Sequence, residues 1–243
     1  MFDLPDYVWI VVFIGVLGIP AATCVALYRG ALAVGIDRRG AGTVATAAGV
    51  GWACWIVAAG VLAAEGAFRQ DSAATRPWIG VAILGAFLSA LLATRIPVVA
   101  RIISAPDTMA RFALPQVPRA IGIVFLIVFA LHDLPAAFAL PAGLGDIATG
   151  IAAPFVARRN SRVGALWFNI LGLVDLVVAV SVGYLAGLGP VRILDVTPST
   201  QAITLLPLAL IPLTAVPLAA ALHVVSLRAY SAAVSSGSVS SRA

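Results

Sequence analysis

The stretch Tyr7–Leu27 reads YVWIVVFIGVLGIPAATCVAL, a near-continuous apolar run with no charged residue. A helix crossing a hydrocarbon core needs about 20 such residues. A transmembrane strand would instead alternate polar and apolar residues over about ten positions. Similar runs recur along the chain, at Ala41–Ala64, from Trp78 to about Ala93 or past Pro97, and from Ala120 into the proline-punctuated Leu131–Pro141. Three more cover Ala142–Ala157, Val163–Gly187 and Ala202–Leu227. The expectation is an all-α polytopic membrane bundle of about seven transmembrane helices. Residues 1–230 would form this single domain, and the Ser-rich segment 231–243 a disordered cytoplasmic tail.

Composition supports this reading. Of 243 residues 62% are hydrophobic and 10% charged, with mean hydropathy +1.08. A soluble domain runs nearer half apolar and a quarter charged, and one built from this chain would expose large apolar patches. Asp3 and Asp6 stand where a cleavable signal would carry positive charge, so the first run is expected to remain as a span. Cys24 and Cys54 both fall inside apolar runs and read as packed thiols rather than metal ligands.

All fifteen basic residues are arginine. The lack of lysine excludes a retinal protein, whose chromophore needs a lysine Schiff base. With the loops after the first, third and fifth spans and the tail placed inside, twelve arginines are cytoplasmic. Arg69, Arg76 and Arg192 are then outside. The positive-inside bias thus puts the N-terminus out and the C-terminus in. It also accounts for the net charge of +5, leaving no separate basic patch for nucleic acid.

Ionisable residues inside spans are costly and face the bundle interior or a water-filled cavity. Here they are His132, Asp133, Asp146, Asp175 and His223, with Asn169 as an uncharged addition. From the helix rise, Asp146 lies roughly 16 Å above the cytoplasmic end of its span, Asp175 roughly 18 Å, and His132 and Asp133 roughly 18–20 Å. His223 and Asn169 sit lower, within about 10 Å of that end. Asp146, Asp175, His132 and Asp133 are therefore candidate catalytic acid–base residues. Gly143, Gly145, Asn169 and His223 are candidate substrate-binding positions. The depth gap between His132 and His223, roughly 12 Å, argues against a haem held by both, and no metal or cofactor is expected. Pro141, Gly143 and Gly145 read as the tight start of a helix. Beyond them Asp146, Thr149, Gly150 and Ala153 share one face, small enough for another backbone to approach. Pro207, Pro212 and Pro217 would free the carbonyls of Ile203, Leu208 and Leu213.

The run FALPAGLGDIATGIAAP, Phe138–Pro154, resembles a segment of uncharacterised bacterial integral membrane proteins, and the proline-rich end with Leu222-His223 is similar to theirs. That resemblance implies a common bundle without an activity. Gly143-Leu144-Gly145-Asp146 also resembles the GxGD motif of intramembrane aspartyl proteases and prepilin peptidases, which pair that Asp with another. Asp175 or Asp133 would be the partner, but Ala148 stands where prepilin peptidases carry lysine. Size and span count resemble small transmembrane terpene cyclases.

These readings point to a plasma-membrane enzyme that applies an Asp/His cluster to a lipid or isoprenoid. Its partners would be membrane lipids and a lipophilic small molecule. A proton-linked transporter, a GxGD-type peptidase and a non-catalytic accessory subunit are the alternatives.

Overall fold

A computed structural model describes residues 4–70, 77–105, 107–159, 161–188 and 192–240, with the backbone alone described over 232–240. Asp3 and Arg76, which entered the sequence reading, lie outside these residues. The described chain is helical throughout its ordered elements, and it is a polytopic membrane bundle. Six helical stretches are long and apolar enough to cross a bilayer, or seven if one sharply bent pair is a single passage.

Helix α1 (Asp6–Ala33) and α2 (Arg38–Ala64) form an antiparallel hairpin. Gly35, at φ +80°, closes α1: its N–H reaches Leu32 O at 3.0 Å and Ile36 N–H reaches Ala31 O at 3.0 Å. A residue without Cβ adopts this left-handed turn freely. Asp37 then caps α2, accepting the Gly40 N–H at 3.2 Å.

Helix α3 (Trp78–Ala93) does not continue through Pro97. Ile96 is extended, as a residue before proline must be, and α4 (Pro97–Ile103) leaves at 85° to α3.

The fourth passage departs most from expectation. It runs Thr108–Ala130, starting twelve residues before Ala120. Helix α5 (Thr108–Ala113) passes into a 3-10 segment (Leu114–Gly122) and then into α6 (Ile123–Ala130). Pro115 and Pro118 supply no N–H for an α-helical ladder, and the tighter winding accommodates them. Arg111 and Arg119 therefore stand inside a span, both buried, rather than in a cytoplasmic loop.

Helix α7 (Ala136–Arg159) starts just after Pro135, earlier than expected. Pro141, Gly143 and Gly145 lie within it, and Asp146 is ten residues from its start. The tight helix start expected at Pro141, Gly143 and Gly145 is thereby corrected. Helix α8 (Arg162–Leu185) is capped by Ser161, which accepts the Gly164 N–H at 3.2 Å.

The last passage is not a plain helix from Ala202. A 3-10 turn (Thr200–Thr204) precedes a π-turn (Ile211–Ala215), and α9 (Val216–Ser240) follows. The backbone of α9 continues into the Ser-rich segment as far as Ser240. No proline follows Pro217, and each added helical residue gains a backbone bond at little further cost.

At the arginine-rich end of the bundle, Arg101 donates to the Val34 carbonyl at 2.6 Å. At the opposite end, Gln201 donates to the Gln70 carbonyl at 3.1 Å. The 3-10 segment sits in the middle, between α1 and α7. Val8, Val12, Val16 and Ile19 of α1 are buried at helical spacing. A Cβ on Gly15 would overlap Ile121, and one on Gly18 would come within 3.0 Å of Pro118. From α7, a Cβ on Gly150 would lie 2.5 Å from Ala120 N and 2.9 Å from Val117 O. Asp146, Thr149, Gly150 and Ala153 do form one buried face, and the backbone that approaches them is the 3-10 segment.

Candidate functional site

Arg119 is the centre of the buried polar cluster, and its side chain is 2% exposed. Each guanidinium nitrogen has a partner on a different residue. Nε donates to Asp146 Oδ1 at 2.7 Å, and Nη2 donates to Asp175 Oδ2 at 2.6 Å. Nη1 lies 3.0 Å from His223 Nε2. A guanidinium has only donors, so His223 Nε2 must accept. The proton is then on Nδ1, which donates to Asn169 Oδ1 at 2.9 Å. Asn169 Nδ2 in turn donates to the Ala165 carbonyl at 2.7 Å. Phe168 flanks the imidazole with ring centroids 5.6 Å apart.

Depth explains how these residues meet. Asp146 and Asp175 are each thirteen residues from the arginine-rich end of their helices, about 20 Å along the axis. Asn169 is seven residues from the start of α8, about 10 Å. Arg119 spans the difference, joining the carboxylates above to the imidazole and amide below.

Glycines make room for the cluster. A Cβ on Gly145 would overlap the Asp175 carboxylate. One on Gly172 would lie 2.5 Å from the His223 ring. One on Gly122 would overlap the Asp146 Cβ. Gly145 is thus a spacer behind the site, and a Cβ on Gly143 would come within 3.0 Å of Leu126 and the Gly122 carbonyl. Neither glycine faces the cleft as a binding position.

His132 and Asp133 stand apart from this cluster. They lie in the turn between α6 and α7, with His132 exposed and Asp133 half-buried. His132 N–H reaches Phe129 O at 2.9 Å, Asp133 N–H reaches Val128 O at 3.0 Å, and His132 has φ +68°. They close the C-terminus of α6 as a left-handed cap. The structure does not bring them to Asp146 and Asp175: matched distance from a helix end did not mean matched position, because the turn comes right there.

Sequence reading missed Arg119. Its prolines made the segment look like a loop. The available signal was electrostatic: carboxylates at one membrane depth call for a cation at that depth.

Above the cluster an apolar cleft with about 60 Å³ of free space, partly open to the surroundings, leads from the end of the bundle opposite the arginine-rich one. Ile79, Ile83, Phe125, Phe138, Leu176 and Val180 are among its walls, and among the described residues Asp146 is the only charged side chain lining it. A smaller adjoining cavity reaches Arg119. Asp146 Oδ1 is held by Arg119, and its second oxygen has no hydrogen-bond partner among the described residues.

The family model for a domain of unknown function, DUF8737, matches residues 76–230. The chain belongs to the DUF8737 family. Arg119, Asp146, Asn169, Asp175 and His223 all fall within the DUF8737 match, as do Gly122, Gly145 and Gly172. The α1–α2 hairpin and Gln70 lie before it. No curated protein and no solved structure matches the chain.

Proposed function

We propose that this DUF8737 protein is a membrane-embedded enzyme that holds a lipophilic molecule in the apolar cleft, with Asp146 as the acid–base group that meets its polar end. One observation carries the reading: a single carboxylate, one oxygen tethered and the other free, forms the floor of an otherwise apolar cleft. Apolar walls with a few convergent polar groups are typical of small-molecule sites. Arg119 holds Asp146 in one orientation and shares its charge with Asp175. His223 and Asn169 position Arg119. The arginine count favours an N-terminus outside and a C-terminus in the cytoplasm, with ten arginines inside against three outside once Arg111 and Arg119 are counted in the core. The membrane is then the plasma membrane, and the cleft opens in its outer half.

A proton-linked transporter is the second reading, favoured by the polar column that descends from Asp146 to Asn169. Arg119 interrupts that column as a proton wire, because it offers donors and no acceptor. Transport would need Arg119 to leave one carboxylate in a second conformation. A peptidase using paired aspartates gains no support, since the guanidinium occupies the place where two carboxyls would share a water.

The test is mass spectrometry of small molecules retained by gently purified protein, wild type against Asp146→Asn. A specific lipophilic compound held by the wild type and lost in the variant is expected. Retention of bulk lipid alone, unchanged by the substitution, would overturn the reading. Solute uptake into sealed vesicles that depends on a pH gradient would select the transporter.

A further inference from the structure

The polar floor of the cleft has a sign. Two carboxylates, Asp146 and Asp175, share one guanidinium, and the other member of the cluster, His223, accepts from Arg119 through a lone pair. With both carboxylates ionised, the cluster carries one uncompensated negative charge. Such a charge is expensive away from water and is relieved by a positive group or a proton. Arg119 cannot serve an occupant of the cleft as well. It is 2% exposed, and each of its nitrogens already has a partner. The polar groups nearer the mouth add no cation. Gln70, Thr204 and Tyr184 line it there, and Gln70 Oε1 is a buried acceptor without a partner. Phe125 and Phe138 meet edge to face at 5.3 Å in the wall, and aromatic faces favour cations.

We infer that the occupant of this cleft is a lipophilic organic cation, an aliphatic ammonium whose charged end rests on the free oxygen of Asp146. This rests on the reading that Asp146 meets a lipophilic molecule, and it names the class. The length fits an amphiphile. Leu176, beside the floor, and Tyr184, near the mouth, are eight residues apart on α8, about 12 Å. An apolar chain fills the walls along that length. A fatty acid or a phosphate headgroup would bring a second negative charge to the floor and is disfavoured. A neutral alcohol can hydrogen-bond Asp146 but leaves the net charge in place.

The experiment uses three probes with one chain: decylammonium, decanol and decanoate. Each is titrated against the full-length protein in nanodiscs of zwitterionic phosphatidylcholine, which offers amines no anionic surface. Binding is read from thermal unfolding and from tryptophan fluorescence. Decylammonium is expected to bind roughly tenfold or more tighter than decanol, the margin of one charge-assisted contact. Decanoate is expected to give no shift. Asp146→Asn should reduce amine binding to the level of the alcohol, and Val180→Trp, which fills the wall, should abolish binding of both the amine and the alcohol. The second variant keeps the test decisive if the first is unstable. Decanol or decanoate binding as well as the amine, and blocked by Val180→Trp, would overturn the cation class while leaving the lipophilic site intact. Failure of all three probes to bind, or binding unaffected by Val180→Trp, would overturn both readings.

Discussion

Helices α2 and α9 have nearly the same length and similar apolar character, yet they occupy opposite places in the bundle. In α2, 11% of the most apolar stretch is buried within the protein, whereas the passage from Ile211 to Ser231 is 67% buried. Helix α2 runs unbroken and makes its one long-range side-chain hydrogen bond through Trp55. The α9 passage is broken by prolines, starts with a π-turn and carries His223. Hydropathy therefore identifies a span but not its rank. In a bilayer, lipid tails cover an apolar surface as well as protein does, so centrality is set by residues that lipid cannot satisfy. Irregular backbone at membrane depth needs protein around it, and so do charges.

The largest expected effect comes from removing the cation around which the central helices assemble. Arg119→Met should leave two carboxylates and an imidazole without their donor and cost about 3–5 kcal/mol. Thermal unfolding in detergent would show it as poor yield or a strongly lowered midpoint. Adding Asp146→Asn and Asp175→Asn should recover most of the loss, since the penalty comes from unpaired charge rather than a missing shape. If the triple variant is as unstable as the single one, the cluster is not held by ion pairing.

Glycines sharpen the contrast. Gly145→Leu pushes a side chain into the Asp175 carboxylate, and an overpacked interior costs about 1–3 kcal/mol. Gly51 of α2 has nothing within 4 Å of a would-be Cβ. Gly51→Ala should be neutral or raise stability by up to about 1 kcal/mol through helix propensity. Equal effects at the two positions would mean that α2 is covered by something other than lipid.

The two helices also differ in how legible they were. Ala41–Ala64 reads as one unbroken span in sequence and in structure, because its own apolar run sets its environment, although Cys54, expected to be packed, is exposed on it. The carboxylates Asp146 and Asp175, with Asn169 and His223, were found because charge and amide are rare at that depth. Their joining could not be read, since it depends on Arg119, and Arg119 sits between Pro118 and a helix start. Proline normally signals a turn in water. In the protein interior the same prolines shape a 3-10 passage whose missing N–H groups allow tight packing against Gly150. The prolines of the last passage were read better. The carbonyl that Pro217 leaves free, on Leu213, receives the Trp55 indole N–H at 2.8 Å.

That bond ties the peripheral helix to the central one, and it can be cut alone. Trp55→Phe keeps an aromatic ring at the position, smaller than the indole, and removes the donor. The Leu213 carbonyl would then be unpaired next to the π-turn, at a cost of about 1–2 kcal/mol. Thermal unfolding should register the loss, and hydrogen exchange should rise at Pro217's neighbours in the π-turn more than along α8. Uniform exchange across both helices would show that Trp55 contributes by bulk packing alone.

The smallest effect tests a position that resembles the site only in its residue types. His132 closes α6 at φ +68°, a conformation that disfavours any residue with a Cβ. His132→Gly should therefore gain about 1 kcal/mol, because glycine adopts this turn without the Cβ clash and the two capping N–H bonds come from the backbone. Its larger freedom in the unfolded chain makes the gain smaller than the full left-handed penalty. The cluster at Arg119 behaves in the opposite sense, since every substitution there is expected to destabilise. A raised unfolding midpoint together with unchanged retention of the bound compound would separate the turn from the site. A lowered midpoint would mean that the imidazole of His132 makes a contact that outweighs its backbone strain, and the turn would then belong with the central helices rather than with the periphery.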